Sequence, residues 1–184
     1  TLGRLAMELA EARAERIELT YYGHLADYDT RLLTAAALNG AFQGRFEQPV
    51  NYVNAPLLAD ERGIEVVEQR RRACRDFTNL VRVSVGTNGK QLRVSGTTIG
   101  RDNRMWLVSA LGFELEMELA PLLVLFRYDD VPGVIGKVGP ADQLRELRGE
   151  ETLQARELLQ ARHLLGHARF ERAVPRGELL GLAL

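Results

Sequence analysis

Basic side chains recur on and beside two runs of alternating β-branched residues in the middle of the chain. Arginine presents a planar fork of N–H donors and lysine a compact ammonium, and both groups hold carboxylates and phosphates. If some of these basic side chains converge on one face of the sheet, they would form an anion-binding site. The alternative is that they cover a solvated sheet face that binds no ligand. The candidate anion-binding residues are Arg82, Lys90, Arg93, Arg101 and Arg104.

The three histidines offer little chemistry. His24 has acidic neighbours at Asp27 and Asp29, which could make an acid–base dyad, but a loop histidine satisfied by a hydrogen bond is the favoured interpretation. His163 and His167 are four residues apart and would share a helix face, yet no third ligand is adjacent. We therefore predict no metal site and assign no catalytic residue.

A nucleotide-binding fingerprint is also missing. A Rossmann domain needs a Gly-x-Gly-x-x-Gly turn between a strand and a helix, and the sequence contains none. Gly133, Gly136 and Gly139 are three residues apart, but they follow Pro132 inside a helix-forming stretch, which favours helix packing. The sequence thus predicts no cofactor in this chain.

The overall composition excludes several classes of partner. The 184 residues contain 24 Lys plus Arg against 25 Asp plus Glu, so no global field would attract nucleic acid or an anionic membrane. No segment approaches the roughly 20 apolar residues of a membrane helix. The single cysteine, Cys74, cannot form an internal disulfide. We expect a cytoplasmic protein with no nucleic-acid or membrane partner.

The first half of the chain alternates between helical and strand patterns. Apolar residues at helical spacing predict an opening helix that ends near Arg16, and alternation predicts a strand over 17–22. A Leu/Ala-rich run predicts a second helix over 30–42. A short third helix begins near Ala55, with Asn54 as its expected N-cap, and a strand over 64–67 follows.

The second half predicts a mainly antiparallel sheet. Runs over 78–86 and 90–95 meet at Asn88-Gly89, a strong hairpin signal, and a second hairpin turns at Gly112. A continuous apolar run over 122–126 and a helix opening at Val134 indicate a second, β-turn-α domain. A Leu/Glu/Arg-rich helical pattern covers 143–165, and from Phe170 onward no clear period exists. The fold class is α+β with flanking helices.

Five ordered motifs carry a resemblance to a known family. Together they closely resemble the intervening domain of the long-form bacterial D-3-phosphoglycerate dehydrogenases, over roughly residues 1 to 139. The motifs are Leu25-Ala26-Asp27-Tyr28-Asp29-Thr30, Pro49-Val50-Asn51-Tyr52-Val53-Asn54-Ala55-Pro56, Glu61-Arg62-Gly63-Ile64, Asp76-Phe77-Thr78-Asn79-Leu80 and Ser95-Gly96-Thr97.

The resemblance implies a domain arrangement and a parent activity. An entry helix (1–16) leads into the intervening, allosteric substrate-binding domain (17–120), the start of an ACT-like domain (121–139) and a divergent tail (140–184). Such enzymes oxidise 3-phosphoglycerate with NAD in serine biosynthesis, usually as homotetramers. Their catalytic and NAD-binding domains precede the intervening domain, so this chain is expected to be regulatory and not catalytic by itself.

The ACT-like segment implies an effector site for L-serine. Asp130-Val131-Pro132-Gly133-Val134-Ile135-Gly136 matches the family's turn into its first ACT helix, and by position Tyr128 and Asp130 resemble effector-contacting residues. A carboxylate at Asp130 can pair with the serine ammonium, although a plain turn or N-cap role for it is equally compatible. Beyond Gly139 the family pattern breaks, and the asparagine expected in the effector site is missing.

Three functions remain open at this point. The leading one is an allosteric module that binds L-serine or a phosphorylated three-carbon acid and forms part of a homo-oligomer. The second is a purely structural oligomerisation module that uses a sheet edge and the opening helix. The third is a relative of the L-serine dehydratase β domain, but that enzyme's iron–sulfur cluster needs several cysteines and this chain has one.

Overall fold

A computed structural model describes residues 1–10, 13–119, 123–129 and 177–183, and the chain divides into two compact units, Thr1–Leu119 and Ala120–Leu184. The first unit contains α1 (Leu2–Leu9), α2 (Arg31–Phe42), α3 (Ala55–Glu61) and a 3₁₀ turn at His24–Asp27. Its strands are β1 (Arg16–Gly23), β2 (Glu65–Arg71), β3 (Asn79–Thr87), β4 (Lys90–Ile99), β5 (Arg104–Ala110) and β6 (Phe113–Glu118).

The six strands form one mixed sheet in the order β2-β1-β3-β4-β5-β6. β1 and β2 are parallel, which requires a crossover, and α2 and α3 lie in that crossover. All the other neighbouring pairs are antiparallel. The α+β class and the mainly antiparallel sheet are therefore confirmed.

Both predicted hairpin turns are present. Asn88 and Gly89 have φ values of 47° and 75°, and Leu111 and Gly112 have values of 55° and 87°. Two consecutive residues with positive φ match the right-handed twist of the strands that they connect. The β3–β4 register follows from the first turn, and the pairs next to Gly112 follow from the second, beyond which the β5–β6 register shifts between Leu107 and Ser109.

One face of the sheet packs against the helices. Tyr21, Val81 and Gly96 lie in one row across β1, β3 and β4 on this face. A Cβ atom added at Gly96 would lie 2.9 Å from Leu2 Cδ2, so α1 packs directly over this glycine. The buried core on this side includes Ile17, Leu19, Leu38, Phe42, Leu58, Val83, Val85 and Val94.

The structure differs from the sequence expectations at the first helix and at the strand before the hairpins. α1 ends at Leu9, well short of Arg16, and Glu15 already bonds the sheet: its N–H donates to Gly86 O at 2.9 Å. β2 runs on to Arg71, beyond the predicted 64–67, because Arg70 and Arg71 still pair with β1.

Asn54 does not act as the predicted side-chain cap of α3. It occupies the N-cap position, but its Oδ1 accepts a hydrogen bond from the N–H of Asn51 at 2.7 Å. Its Nδ2 donates to Pro49 O at 2.9 Å. The side chain is thus used within the preceding loop, and the capping prediction is wrong.

The described part of the second unit is one pair of antiparallel strands, β7 (Leu123–Asp129) and β8 (Gly177–Ala183). β8 lies in the region where the sequence showed no clear period. The predicted ACT helix opening at Val134 and the helical pattern over 143–165 lie outside the described residues. The ACT-like assignment therefore stays a prediction.

Candidate anion-binding site

Arg82 lies in the centre of the sheet, on the face opposite the helices, which is termed the open face here. Register pairs it with Thr20 on β1 and with Ser95 on β4. Its Nε donates to Ser95 Oγ at 3.2 Å, and its Nη1 donates to the hydroxyl of Tyr22 at 2.8 Å. The guanidinium carbon also lies 5.1 Å from the centroid of the Tyr22 ring. Three contacts therefore fix the orientation of this guanidinium.

Among the described residues, none with an opposite charge is paired with Arg82. In the part of the chain that the structure describes, no carboxylate lies within ion-pairing distance of this guanidinium. Other arginines are paired with acids, namely Arg16, Arg31, Arg45, Arg70, Arg72 and Arg104. Arg82 is partly buried, and two of its five N–H donors are used by Ser95 and Tyr22.

Arg93 is the second cation on the open face. It pairs with Ser84, whereas Arg82 pairs with Ser95, so the two arginines are diagonal neighbours on adjacent strands. Arg93 is exposed and donates to Gln91 Oε1 at 2.6 Å. Glu18 shares this face through its register with Ser84, but its carboxylate lies 3.6 Å from Arg16. The structure thus brings two of the five predicted cations together.

The other three predicted cations lie elsewhere. Lys90 begins β4 and pairs with Thr87 on the face opposite to that of Arg82. Arg101 belongs to the turn after β4, and Arg104 pairs with Glu118 at 3.0 Å. At about 3.3 Å per residue, the length of β4 separates Lys90 from that turn by roughly 30 Å. These five residues therefore do not form one cluster.

Of the two predicted serine-contacting residues, the structure describes one. Tyr128 belongs to β7, where its backbone pairs with Glu178. Asp130 lies outside the described residues. The serine site therefore stays a prediction.

A second polar cluster, termed the Glu68 cluster, joins β2 to the start of α2 on the helical side. The carboxylate of Glu68 accepts hydrogen bonds from Thr30, from Thr34 at 2.7 Å and from Arg70 at 2.8 Å. Burial acts to raise the pKa of Glu68, but these hydrogen bonds outweigh it and hold the pKa below its ordinary value. A carboxylate whose acceptors are satisfied in this way stabilises the fold and is not set up for proton transfer.

The acidic neighbours of His24 are engaged by arginines. Asp27 accepts from Arg72 at 2.7 Å, and Asp29 pairs with Arg31 at 2.5 Å. The hydrogen bonds from Arg31 lower the pKa of Asp29 to about 2. The two carboxylates are therefore held by arginines and do not form a dyad with His24. Within the described ranges, no group of three or more His, Cys, Asp or Glu side chains could hold a metal ion.

Sequence reasoning missed Tyr22 and Ser95 as partners of Arg82. Tyr22 is 60 residues away from Arg82 in the chain, so only the β1–β3 register brings the pair together. Ser95 could have been found by extending the alternation of the 78–86 and 90–95 runs across the predicted Asn88-Gly89 turn.

Comparisons with known proteins place the chain in a family. The family model of the D-3-phosphoglycerate dehydrogenase intervening domain matches residues 1–109. A Synechocystis D-3-phosphoglycerate dehydrogenase is 33% identical over 141 residues, which are 76% of this chain and 25% of that protein. Those of Mycobacterium bovis and Archaeoglobus fulgidus are 31% and 28% identical, over 75% of this chain and 26% of each relative.

The chain therefore spans about a quarter of the length of these curated relatives. No helix among the described residues is long and apolar enough to cross a bilayer. The five motifs and the family model agree, and this chain belongs to the D-3-phosphoglycerate dehydrogenase intervening-domain family.

Proposed function

We propose that this chain is the regulatory, effector-binding part of a long-form D-3-phosphoglycerate dehydrogenase. In that enzyme the oxidation of 3-phosphoglycerate by NAD, the entry into serine biosynthesis, would take place on domains outside this chain, in the cytoplasm. The observation that carries the proposal is the state of Arg82: its guanidinium is oriented by Ser95 and Tyr22 and has no acidic partner among the described residues.

The ligand that fits the oriented guanidinium of Arg82 is a small carboxylate or phosphate. Two of the five guanidinium N–H donors of Arg82 are used by Tyr22 and Ser95, so the remaining ones can meet a planar or tetrahedral anion. Arg93 lies diagonally beside it and would add a second positive charge. A phosphorylated three-carbon acid carries both kinds of anionic group within one small molecule.

Calorimetric titration of the whole chain with 3-phosphoglycerate tests this proposal. Arg82→Ala should weaken binding by roughly 1.5–3 kcal/mol, which is about tenfold or more in the dissociation constant. Arg101→Ala is the matched control, because it removes the same charge from an exposed turn. The proposal fails if the chain binds no ligand at millimolar concentration, or if both variants weaken binding equally, which would indicate general charge attraction.

The ACT-like segment would add a separate effector site. There, Asp130 would pair with the ammonium of L-serine, and Tyr128 would contact the same ligand. Titration with L-serine, repeated on Asp130→Asn, tests this part by itself. Wild-type affinity in Asp130→Asn would remove Asp130 from the site while leaving the proposal for Arg82 intact.

A further inference from the structure

The edge strand β2 adds a third cation to the open face, Arg71, which was not among the predicted anion-binding residues. Register pairs Arg71 with Tyr22 on β1. Glu68 and Arg70 are bonded to each other on the helical side of β2, whereas Nη2 of Arg71 donates to Gln69 Oε1 at 3.0 Å. Because side chains alternate along a strand, Gln69 and Arg71 lie together on the open face.

The hydrogen bond to Gln69 directs the guanidinium of Arg71 towards the row that contains Arg82. Gln69, Thr20 and Arg82 lie in one row across β2, β1 and β3. Two strand spacings, about 10 Å, separate the ends of this row. Thr20, between them, is buried and has a short side chain. The sheet between the two cations is therefore low enough for a small molecule to lie over it.

Arg93 is held in the opposite direction. Its Nη2 donates to Gln91 Oε1 at 2.6 Å, and Gln91 pairs with Gly86 in a row further from Arg82 than that of Arg93 itself. The charge of Arg93 thus adds to the positive potential of the open face, but its donors are drawn away from Arg82. Arg71 is the open-face cation whose donors are drawn towards it.

The neighbouring acids do not neutralise Arg71. Glu18 and Glu65 share the open face, and both contact Arg16, at 3.6 and 2.8 Å. Asp76, in the loop after β2, is exposed, and no ion pair joins it to Arg71. Within the described part of the chain, the charge of Arg71 therefore has no acidic partner.

We propose that Arg71 is a second contact residue of the anion site and holds the phosphate group of a ligand whose carboxylate is held by Arg82. The proposal rests on the function proposed for Arg82. A planar guanidinium fork oriented by Ser95 and Tyr22 matches a planar carboxylate. A phosphate dianion costs more to remove from water, so it takes the exposed arginine, where it stays partly hydrated. The ligand class is a small acid with a phosphate group at its other end.

Titration calorimetry of the whole chain with two ligands tests this assignment. The ligands are 3-phosphoglycerate and glycerol 3-phosphate, which has a hydroxymethyl group in place of the carboxylate. Arg71→Ala should weaken the binding of both ligands by about tenfold or more, because both contain the phosphate. Arg82→Ala should weaken mainly the binding of 3-phosphoglycerate, since the other ligand has no carboxylate to lose.

Arg72→Ala is the matched control. Arg72 is the next residue, its side chain is 85% exposed, and it pairs with Asp27 at 2.7 Å. The control removes the same charge from the same end of β2 and should leave both affinities nearly unchanged. Gln69→Ala should weaken both ligands by a smaller factor than Arg71→Ala. It should add no further loss to Arg71→Ala, because Gln69 acts through Arg71.

Two results would overturn the role of Arg71 while leaving the function proposed for Arg82 intact. One is wild-type affinity in Arg71→Ala together with a loss in Arg82→Ala, and the other is an equal loss in Arg71→Ala and Arg72→Ala. A wild type that binds neither ligand at millimolar concentration would overturn both proposals. Circular dichroism should show a retained fold, because Arg71 is exposed. Arg71→Gln replaces the alanine variant if that variant does not fold.

Discussion

The hydroxyl groups of Tyr21 and Thr34 lie 2.8 Å apart and join the middle of β1 to α2. Thr34 also donates to Glu68 on β2, so one side chain of the helix connects two parallel strands. This linkage fixes the position of α2 over the sheet, and three of the predictions concern the packing of this layer.

The first prediction concerns alkaline pH. Burial raises the pKa of Tyr21 to about 12, from an ordinary value of 10.0, and the nearby Glu68 carboxylate raises it as well. The neutral phenol is the form that folding favours, so its contribution to stability is fully present below pH 10 and is lost as the pH rises towards 12. Urea denaturation of Tyr21→Phe should lack this loss.

The same variant should be less stable than the wild type at neutral pH by about 0.5–1.5 kcal/mol, because the bond to Thr34 is removed. Tyr52→Phe is the control, since Tyr52 is 56% exposed, and its stability should follow the wild type at every pH. Identical alkaline slopes for the wild type and Tyr21→Phe would contradict the prediction.

The second prediction concerns acid. The pKa of Glu68 is held below its ordinary value of 4.5, so its contribution to stability is present above pH 4.5 and is lost as the pH falls through the folded-state pKa. Glu68→Gln should reduce the free energy of unfolding by about 1–3 kcal/mol at pH 7. The difference from the wild type should narrow as the pH falls below 4.5.

Glu116→Gln, on the edge strand β6, is the control for this experiment because Glu116 is exposed. Asp29, whose pKa is about 2, also loses its charge in strong acid. This loss lowers the free energy of unfolding equally in the wild type and in Glu68→Gln. A difference between these two proteins that does not vary with pH would show that the hydrogen bonds of Glu68 do not depend on its charge.

The third prediction concerns the contact between α1 and α2. A Cβ atom added at Gly3 would lie 1.9 Å from the carbonyl oxygen of Ala37, so Gly3→Ala must push the helices apart. We expect it to destabilise the protein by about 1–3 kcal/mol in urea denaturation, although alanine favours helix formation by about 1 kcal/mol.

Gly40→Ala is the matched control on the same helix pair. Its nearest neighbours, Arg4 N and Thr1 N, would lie 3.5 and 3.6 Å from the added carbon, which is ordinary contact. The helix preference of alanine should then stabilise this variant by up to about 1 kcal/mol. Equal destabilisation by both substitutions would show that the α1–α2 contact is less close than the Gly3–Ala37 distance implies.

The fourth prediction separates the charge of Arg82 from its shape. Arg82→Lys keeps the positive charge but loses the planar fork and the stacking on Tyr22. Its affinity for 3-phosphoglycerate should lie between those of the wild type and Arg82→Ala. Raising the salt from about 0.1 M to about 1 M shortens the Debye length from about 10 Å to about 3 Å, so binding should weaken in all variants. Full affinity in Arg82→Lys would mean that charge alone binds the ligand.

Features with a short-range cause were predictable from the sequence. Two consecutive residues with positive φ are needed at each two-residue hairpin turn, and Asn88-Gly89 indicates one directly. Alternation predicts the strands, and the absence of charge from Leu32 to Phe42 is a property of the sequence itself. The five ordered motifs were sufficient to point to the family, which the family model over residues 1–109 confirms.

Features that depend on long-range pairing were decided by the tertiary structure. No local pattern predicts that β1 pairs with β2 and β3. Only the β1–β3 register brings Tyr22 to Arg82, and only the packing of α2 on the sheet brings Thr34 to Glu68. The same pairing draws Glu15 into the sheet and so keeps the chain there from continuing the helix. Periodicity specifies which face a side chain takes, whereas the contacts across that face depend on strand order, because residues distant in sequence become neighbours only when the sheet forms.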